Sequence, residues 1–174
     1  MDLVESKGSV SSNRERYLAS LSSVDGRNVG QLLNYIDALA RDIEGSEIRI
    51  VVIGSTVPGG RYNSRSPTDI DLQILSTTLY ESPSRVQVSK FIEERLLEFF
   101  NSHGYRYNKS DEVDHSSLGF MDESMLPFVN NPSYQAFPSE GHYLDLTFSG
   151  KSSLDAQYVI DLHRKVNRPH LVVK

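Results

Sequence analysis

The sequence has no cysteine at any of its 174 positions. Disulfide scaffolds are therefore excluded, and so is every metal or catalytic site built on a thiolate. It has no apolar run near the roughly 20 residues that a membrane-spanning helix needs. The opening stretch, MDLVESKGSVSSNRER, is polar and has no apolar segment of the kind a secretion signal carries. A cytoplasmic address is the resulting expectation. Basic charge is also in short supply: 18 Lys and Arg stand against 23 Asp and Glu, for a net charge of −5. That balance argues against extended, sequence-blind nucleic-acid binding, which rests on phosphate neutralisation.

What is present is the ordinary material of a globular domain, with 38% hydrophobic and 24% charged residues. The length suits one compact domain. We read residues 1–45 as an N-terminal helical segment packed on a core formed by 46–174. The first dozen residues, rich in serine, are expected to be loose. Val29, Leu32, Leu33, Ile36, Leu39, Ala40 and Ile43 recur at helical spacing, with Asn28 as candidate cap and Gly45 as candidate stop. A second long helix is expected over 84–103, ended by Gly104, and a last one over 153–166. Three strands stand out: 48–53, 68–75 and 142–148, each β-branched or alternating. Tyr105–Asn108 is a possible fourth. The segment 109–141 is expected to hold a short strand or helix, because a structureless stretch of that length is rare inside a compact domain. The fold class expected is α/β (α+β), a small mixed sheet with helices mainly on one face and the opposite face open around three aspartates.

Chemistry concentrates in IRIVVIGSTVPGGRYNSRSPTDIDLQIL. A strand runs into Gly54-Ser55, a loop follows, and a second strand opens with Asp69-Ile70-Asp71. Alternation along a strand sends Asp69 and Asp71 to the same side, opposite Ile70 and Leu72. Two carboxylates side by side repel unless a cation or a proton neutralises them. Mg²⁺ takes one or two protein carboxylates and completes its shell with water and phosphate oxygens. Gly54 allows close backbone approach to a ligand, and N–H groups in such a turn can face phosphate. Arg61 and Arg65 lie in the same loop and could bind phosphate in bidentate fashion. A third carboxylate, Asp145, interrupts the polar-facing side of Leu144-Asp145-Leu146. Beside the Asp69 strand it would complete a ligand set for two metals. Among the five histidines, His142 is the best placed, near the start of the Asp145 strand. Ser149-Gly150-Lys151-Ser152 mimics the end of a phosphate-binding loop, but Asp145 occupies the position where that loop needs its first glycine.

These features resemble the nucleotidyltransferase superfamily, the DNA polymerase β-like and minimal nucleotidyltransferase fold. The shared pattern is Gly54-Ser55, a loop, Asp69-Ile70-Asp71, and a later Asp145 flanked by leucines, and it covers about 48–149. The 13 residues between Ser55 and Asp69 make a longer loop than minimal members have. The resemblance implies contact of Gly54 and Ser55 with the triphosphate. It implies metal binding by Asp69, Asp71 and Asp145, and acceptor deprotonation by Asp145. It further implies two Mg²⁺ (or Mn²⁺) ions, and an NTP donor, with ATP favoured. The acceptor would be a hydroxyl of a small molecule, a protein or an RNA end. Little chain is left for the second helical domain that many relatives carry. That opens an alternative, a non-catalytic interaction module that partners a helical protein, and a third reading, a homodimeric enzyme whose neighbour walls the acceptor site.

Overall fold

In the computed structural model, residues 9–42, 48–57, 69–76, 85–110, 133–149, 160–161, 164–165 and 170–174 are described. Helix α1 spans Val10–Ser20, α2 Ser23–Asp42 and α3 Arg85–Ser102. The strands are β1 (Ile48–Ile53), β2 (Ile70–Ser76), β3 (Arg106–Ser110), β4 (Ser133–Phe137), β5 (Leu144–Ser149) and β6 (His170–Val172). They form one sheet in the order β3-β4-β5-β2-β1-β6. The sheet is mixed: β2 and β5 run parallel, and every other pair is antiparallel. The α+β class expected from the sequence is what the chain adopts.

One face of the sheet carries the helices. Ile48, Ile50 and Val52 of β1, Ile70, Leu72 and Ile74 of β2, and Leu144 and Leu146 of β5 pack into a single core with Tyr17, Leu32, Leu33, Ile36, Leu96 and Phe100. The even parity of the β2 and β5 residues is what sends the aspartates to the other face. That face is not bare. Val51, Gln73 and Leu75 share it and are buried, and Asp69, Asp71 and Asp145 are half-buried.

Two helix starts differ from the sequence reading. α1 begins at Val10, inside the stretch expected to be loose, because the Ser9 hydroxyl accepts the Ser12 N–H and caps it. α2 begins at Ser23, five residues before Asn28. Its cap is made by Ser22, whose hydroxyl accepts the Asp25 N–H at 3.1 Å and donates to the Asp25 carboxylate at 2.8 Å. Asn28 is instead buried within the helix. Its amide donates to the Glu140 carbonyl and accepts from the Tyr105 hydroxyl, so its role is tertiary. At the end of α3, Gly104 takes a left-handed conformation (φ 68°) and the chain turns into β3. β4 is the element anticipated within 109–141, and β6 is a strand that periodicity does not reveal. Residues 160–161 and 164–165 are helical, within the expected last helix, whose remainder lies outside the described residues.

Candidate metal centre

The centre is built at the end of the sheet where β1 finishes and β2 and β5 begin. In the parallel ladder, Asp71 pairs with Asp145 and Ile70 with Leu144. Side chains of paired residues emerge on the same face, so the register itself sets the Asp71 and Asp145 carboxylates side by side. Asp69 stands one residue before β2 with the parity of Asp71. Each of the three aspartates offers one oxygen, and these oxygens lie within 4.8 Å of one another. The convergence anticipated from the sequence is therefore met in space.

Gly54 and Ser55 form a single 3₁₀ turn, Gly54–Thr56, directly after β1. The antiparallel pairing of Ile53 with Asp71 carries this turn to the carboxylates. Gly54 has φ 80°, and a Cβ added there would lie 2.0 Å from Asp71 Oδ2. The turn thus needs glycine twice, for its backbone and for the carboxylate lying against it. The turn is anchored from below by a buried hydrogen bond of 2.8 Å between the Tyr17 and Thr56 hydroxyls. Arg61, Arg65 and Lys151 lie outside the described residues.

Electrostatics follow from the crowding. Burial, and then the neighbouring Asp69 charge, push the Asp145 carboxyl up to about 6. The Tyr143 hydroxyl donates to Asp69 Oδ2 at 3.0 Å. Burial first, then Asp69, push this phenol up to about 12, so it stays protonated and acts as a donor. Sequence reasoning passed over Tyr143. The signal was available: it sits two residues before Asp145 with the same strand parity.

His142 points the other way. Its Nδ1 lies 2.8 Å from Asp25 Oδ2, and its backbone N–H donates to Asp25 Oδ1 at 2.8 Å. Asp25 is only 1% exposed. Gly141, with φ 88°, passes so close that an added Cβ would lie 2.5 Å from Asp25 Oδ1. The first turn of α2 therefore grips the segment that leads into Tyr143 and Asp145. This clamp joins residues more than a hundred positions apart, and no local pattern announces it.

The donor set is three carboxylates with no histidine or thiol, which suits a hard divalent cation such as Mg²⁺ or Mn²⁺. A cation would offset the burial and the Asp69 charge that together raise Asp145. Set against protein-family models, curated proteins and solved structures, the chain matches none of them. Among the described residues, no helix is long and apolar enough to cross a membrane.

Proposed function

We propose that this chain is a metal-dependent nucleotidyltransferase that moves a nucleoside monophosphate from an NTP to a hydroxyl. The observation that carries the reading is the parallel register of β2 and β5. It converts an Asp-x-Asp and a distant Asp into one oxygen cluster facing the Gly54-Ser55 turn.

Asp69, Asp71 and Asp145 would hold one or two divalent cations. When bound, such ions neutralise triphosphate charge and favour the ionised form of an attacking hydroxyl. The chain's own groups supply the rest. Backbone N–H groups of the Gly54 turn and the Ser55 hydroxyl bind phosphate oxygens, and Arg61 and Arg65 add charge from the loop. Tyr143 holds Asp69 in place through its hydroxyl. The acceptor oxygen forms a bond to the α-phosphorus, and the bond from that phosphorus to the bridging oxygen breaks. Pyrophosphate leaves with the electron pair, and the acceptor's proton passes to Asp145.

The alternative, a non-catalytic module docking a helical protein through α3, draws no support from the residues of α3 whose exposure is described. Leu96, Phe99 and Phe100 of α3 are buried, and among the described residues the exposed large hydrophobic is Val10, on α1.

The test is melting temperature with each of the four NTPs, with and without Mg²⁺, on wild type and on Asp69→Asn. Ligand at 100 times its dissociation constant stabilises a fold by about 2.7 kcal/mol. The expected result is a Mg²⁺-dependent rise with one NTP, lost in the variant, together with pyrophosphate release once the acceptor is supplied. Full turnover by Asp69→Asn would overturn the assignment.

A further inference from the structure

The face that holds the carboxylates continues past β5 onto β4 and β3, and its composition changes there. Two rows cross these strands at the same end of the sheet. The first starts at Asp69, whose carboxylate accepts the Tyr143 hydroxyl. Tyr143 lies beside Phe137, with ring centroids 5.4 Å apart. The Arg106 guanidinium lies over the Phe137 ring, 5.5 Å from its centroid. The second row runs Asp71, Asp145, Gln135 and Asn108 through successive register pairs. The face thus passes from anionic oxygens to aromatic rings and side-chain amides, and ends in a cation.

This is unusual surface for a strand face. Phe137 and Tyr143 are half-buried, and Arg106 and Asn108 are exposed. Among the described residues, Arg106 has no carboxylate partner, and the amides of Gln135 and Asn108 have no hydrogen-bond partner. The arrangement offers flat apolar area, two amides able to read a polar ring edge, and one positive charge in line. The line from Asp69 to Arg106 crosses three strand spacings, roughly 14 Å between backbones.

We infer that the β5–β4–β3 end of this face is the acceptor subsite, and that it takes a hydroxyl-bearing molecule with a planar ring and an anionic group, the chemistry of a mononucleotide. The inference rests on the nucleotidyltransferase reading for its hydroxyl, and on the aromatic row alone for its ring. The ring packs against Tyr143, as bases do on aromatic platforms, since the face of Phe137 is taken by Arg106. Gln135 and Asn108 meet the ring edge. Arg106 takes the phosphate, and Phe137 holds its guanidinium in position. Of the acceptors open from sequence, a nucleotide-like small molecule carries ring, hydroxyl and phosphate together, whereas Ser and Thr hydroxyls bring no ring and a Tyr hydroxyl brings no phosphate.

The experiment is equilibrium binding of AMP, GMP, CMP and UMP to the intact chain in EDTA, where a metal-dependent donor site is silent. Ribose 5-phosphate and adenosine serve as the ring-free and phosphate-free arms. The variants are Arg106→Gln, which changes an exposed side chain, and Phe137→Leu, with folding of each checked by its melting curve. At least one mononucleotide should bind wild type, and each variant should weaken it at least about fivefold. Both control arms should bind less well than the mononucleotide. Equal binding of ribose 5-phosphate would reduce the subsite to an anion contact and overturn the ring assignment. Binding unchanged in both variants, or no mononucleotide binding at millimolar concentration, would overturn the subsite. The two readings separate cleanly. An Mg²⁺·NTP melting shift without mononucleotide binding removes the subsite and leaves the transferase. Mononucleotide binding lost in Phe137→Leu, with no NTP shift in wild type, keeps the subsite and removes the transferase.

Discussion

The Asp71 carboxylate lies against the Cα of Gly54, so close that a methyl group at position 54 would sit 2.0 Å from Asp71 Oδ2. The turn and the metal-ligand strand are therefore one unit. Gly54→Ala should fail on two counts. Its left-handed backbone (φ 80°) costs a non-glycine residue about 1–2 kcal/mol, and Asp71 must also move to admit the methyl. We expect a lower melting temperature and loss of the Mn²⁺-induced melting shift. Ser55→Ala, which leaves that contact alone, should keep the metal shift and weaken the NTP-dependent one.

Asp145 sits where its charge is disfavoured. Its folded-state value of about 6 stands above the ordinary 3.8. A raised carboxyl contributes stability that is present below about pH 4 and is lost as pH rises through 6. At pH 7 the metal-free fold carries the full penalty. Asp145→Asn should remove it and stabilise the metal-free protein by about 1–2 kcal/mol, after discounting for partial solvent exposure. The gain should vanish near pH 4. The same variant should lose its response to Mg²⁺ and Mn²⁺. Equal stability of variant and wild type across pH 4–8 would show that burial and the Asp69 charge do not disfavour the Asp145 carboxylate as described.

Asp25 holds the entry to β5 with both oxygens, through the backbone N–H and the ring of His142. Asp25→Ala would leave both groups short of an acceptor in a half-buried setting, where partial access to water keeps the cost at or below about 1 kcal/mol per group. It should also loosen Tyr143 and Asp145, one and three residues further on. Asp25→Asn retains one acceptor oxygen and should recover part of the loss. Melting curves and Mn²⁺ titration of both variants check this. A fall in stability with unchanged Mn²⁺ affinity would limit the clamp to a packing role.

The strands that bear the aspartates could be read from sequence because β-branched runs and strict alternation mark β1, β2 and β5. α2 and α3 were legible for the same reason at helical period. What escaped reading is what depends on distant partners. Asn28 looked like a cap because the apolar repeat begins at Val29. The true cap is Ser22, set by a Ser-x-x-Asp pattern ahead of a polar first turn. Asp25 and Asn28 are buried because Gly141, His142, Glu140 and Tyr105 come to them. β6 has three residues, too few to show any period, and is defined by pairing with β1. Parity placed Asp69 and Asp71 on one side. Asp145 is named from the sequence as the third ligand, and the β2–β5 register sets it beside Asp71; Tyr143, which the sequence reading passes over, shares its parity.

Asp37 ties three parts of the chain together. It accepts from Arg14 of α1 and faces Lys174 Nζ at 2.7 Å, at the end of the chain beside β1. Burial alone would raise its carboxyl, but Lys174 and Arg14 outweigh that and hold it below the ordinary 3.8. A lowered carboxyl contributes stability above its unfolded value, and that contribution is lost as pH falls through the lower folded one. Asp37→Asn should therefore cost stability at pH 7, by about 1 kcal/mol for a partly exposed pair. The difference from wild type should shrink below pH 4 and close in stronger acid. Because β6 and Lys174 flank β1 on the side away from the aspartates, the variant should leave the Mn²⁺-induced melting shift intact. If that shift were lost along with stability, docking of α1 and the C-terminal segment would have to be treated as part of how the metal centre is held.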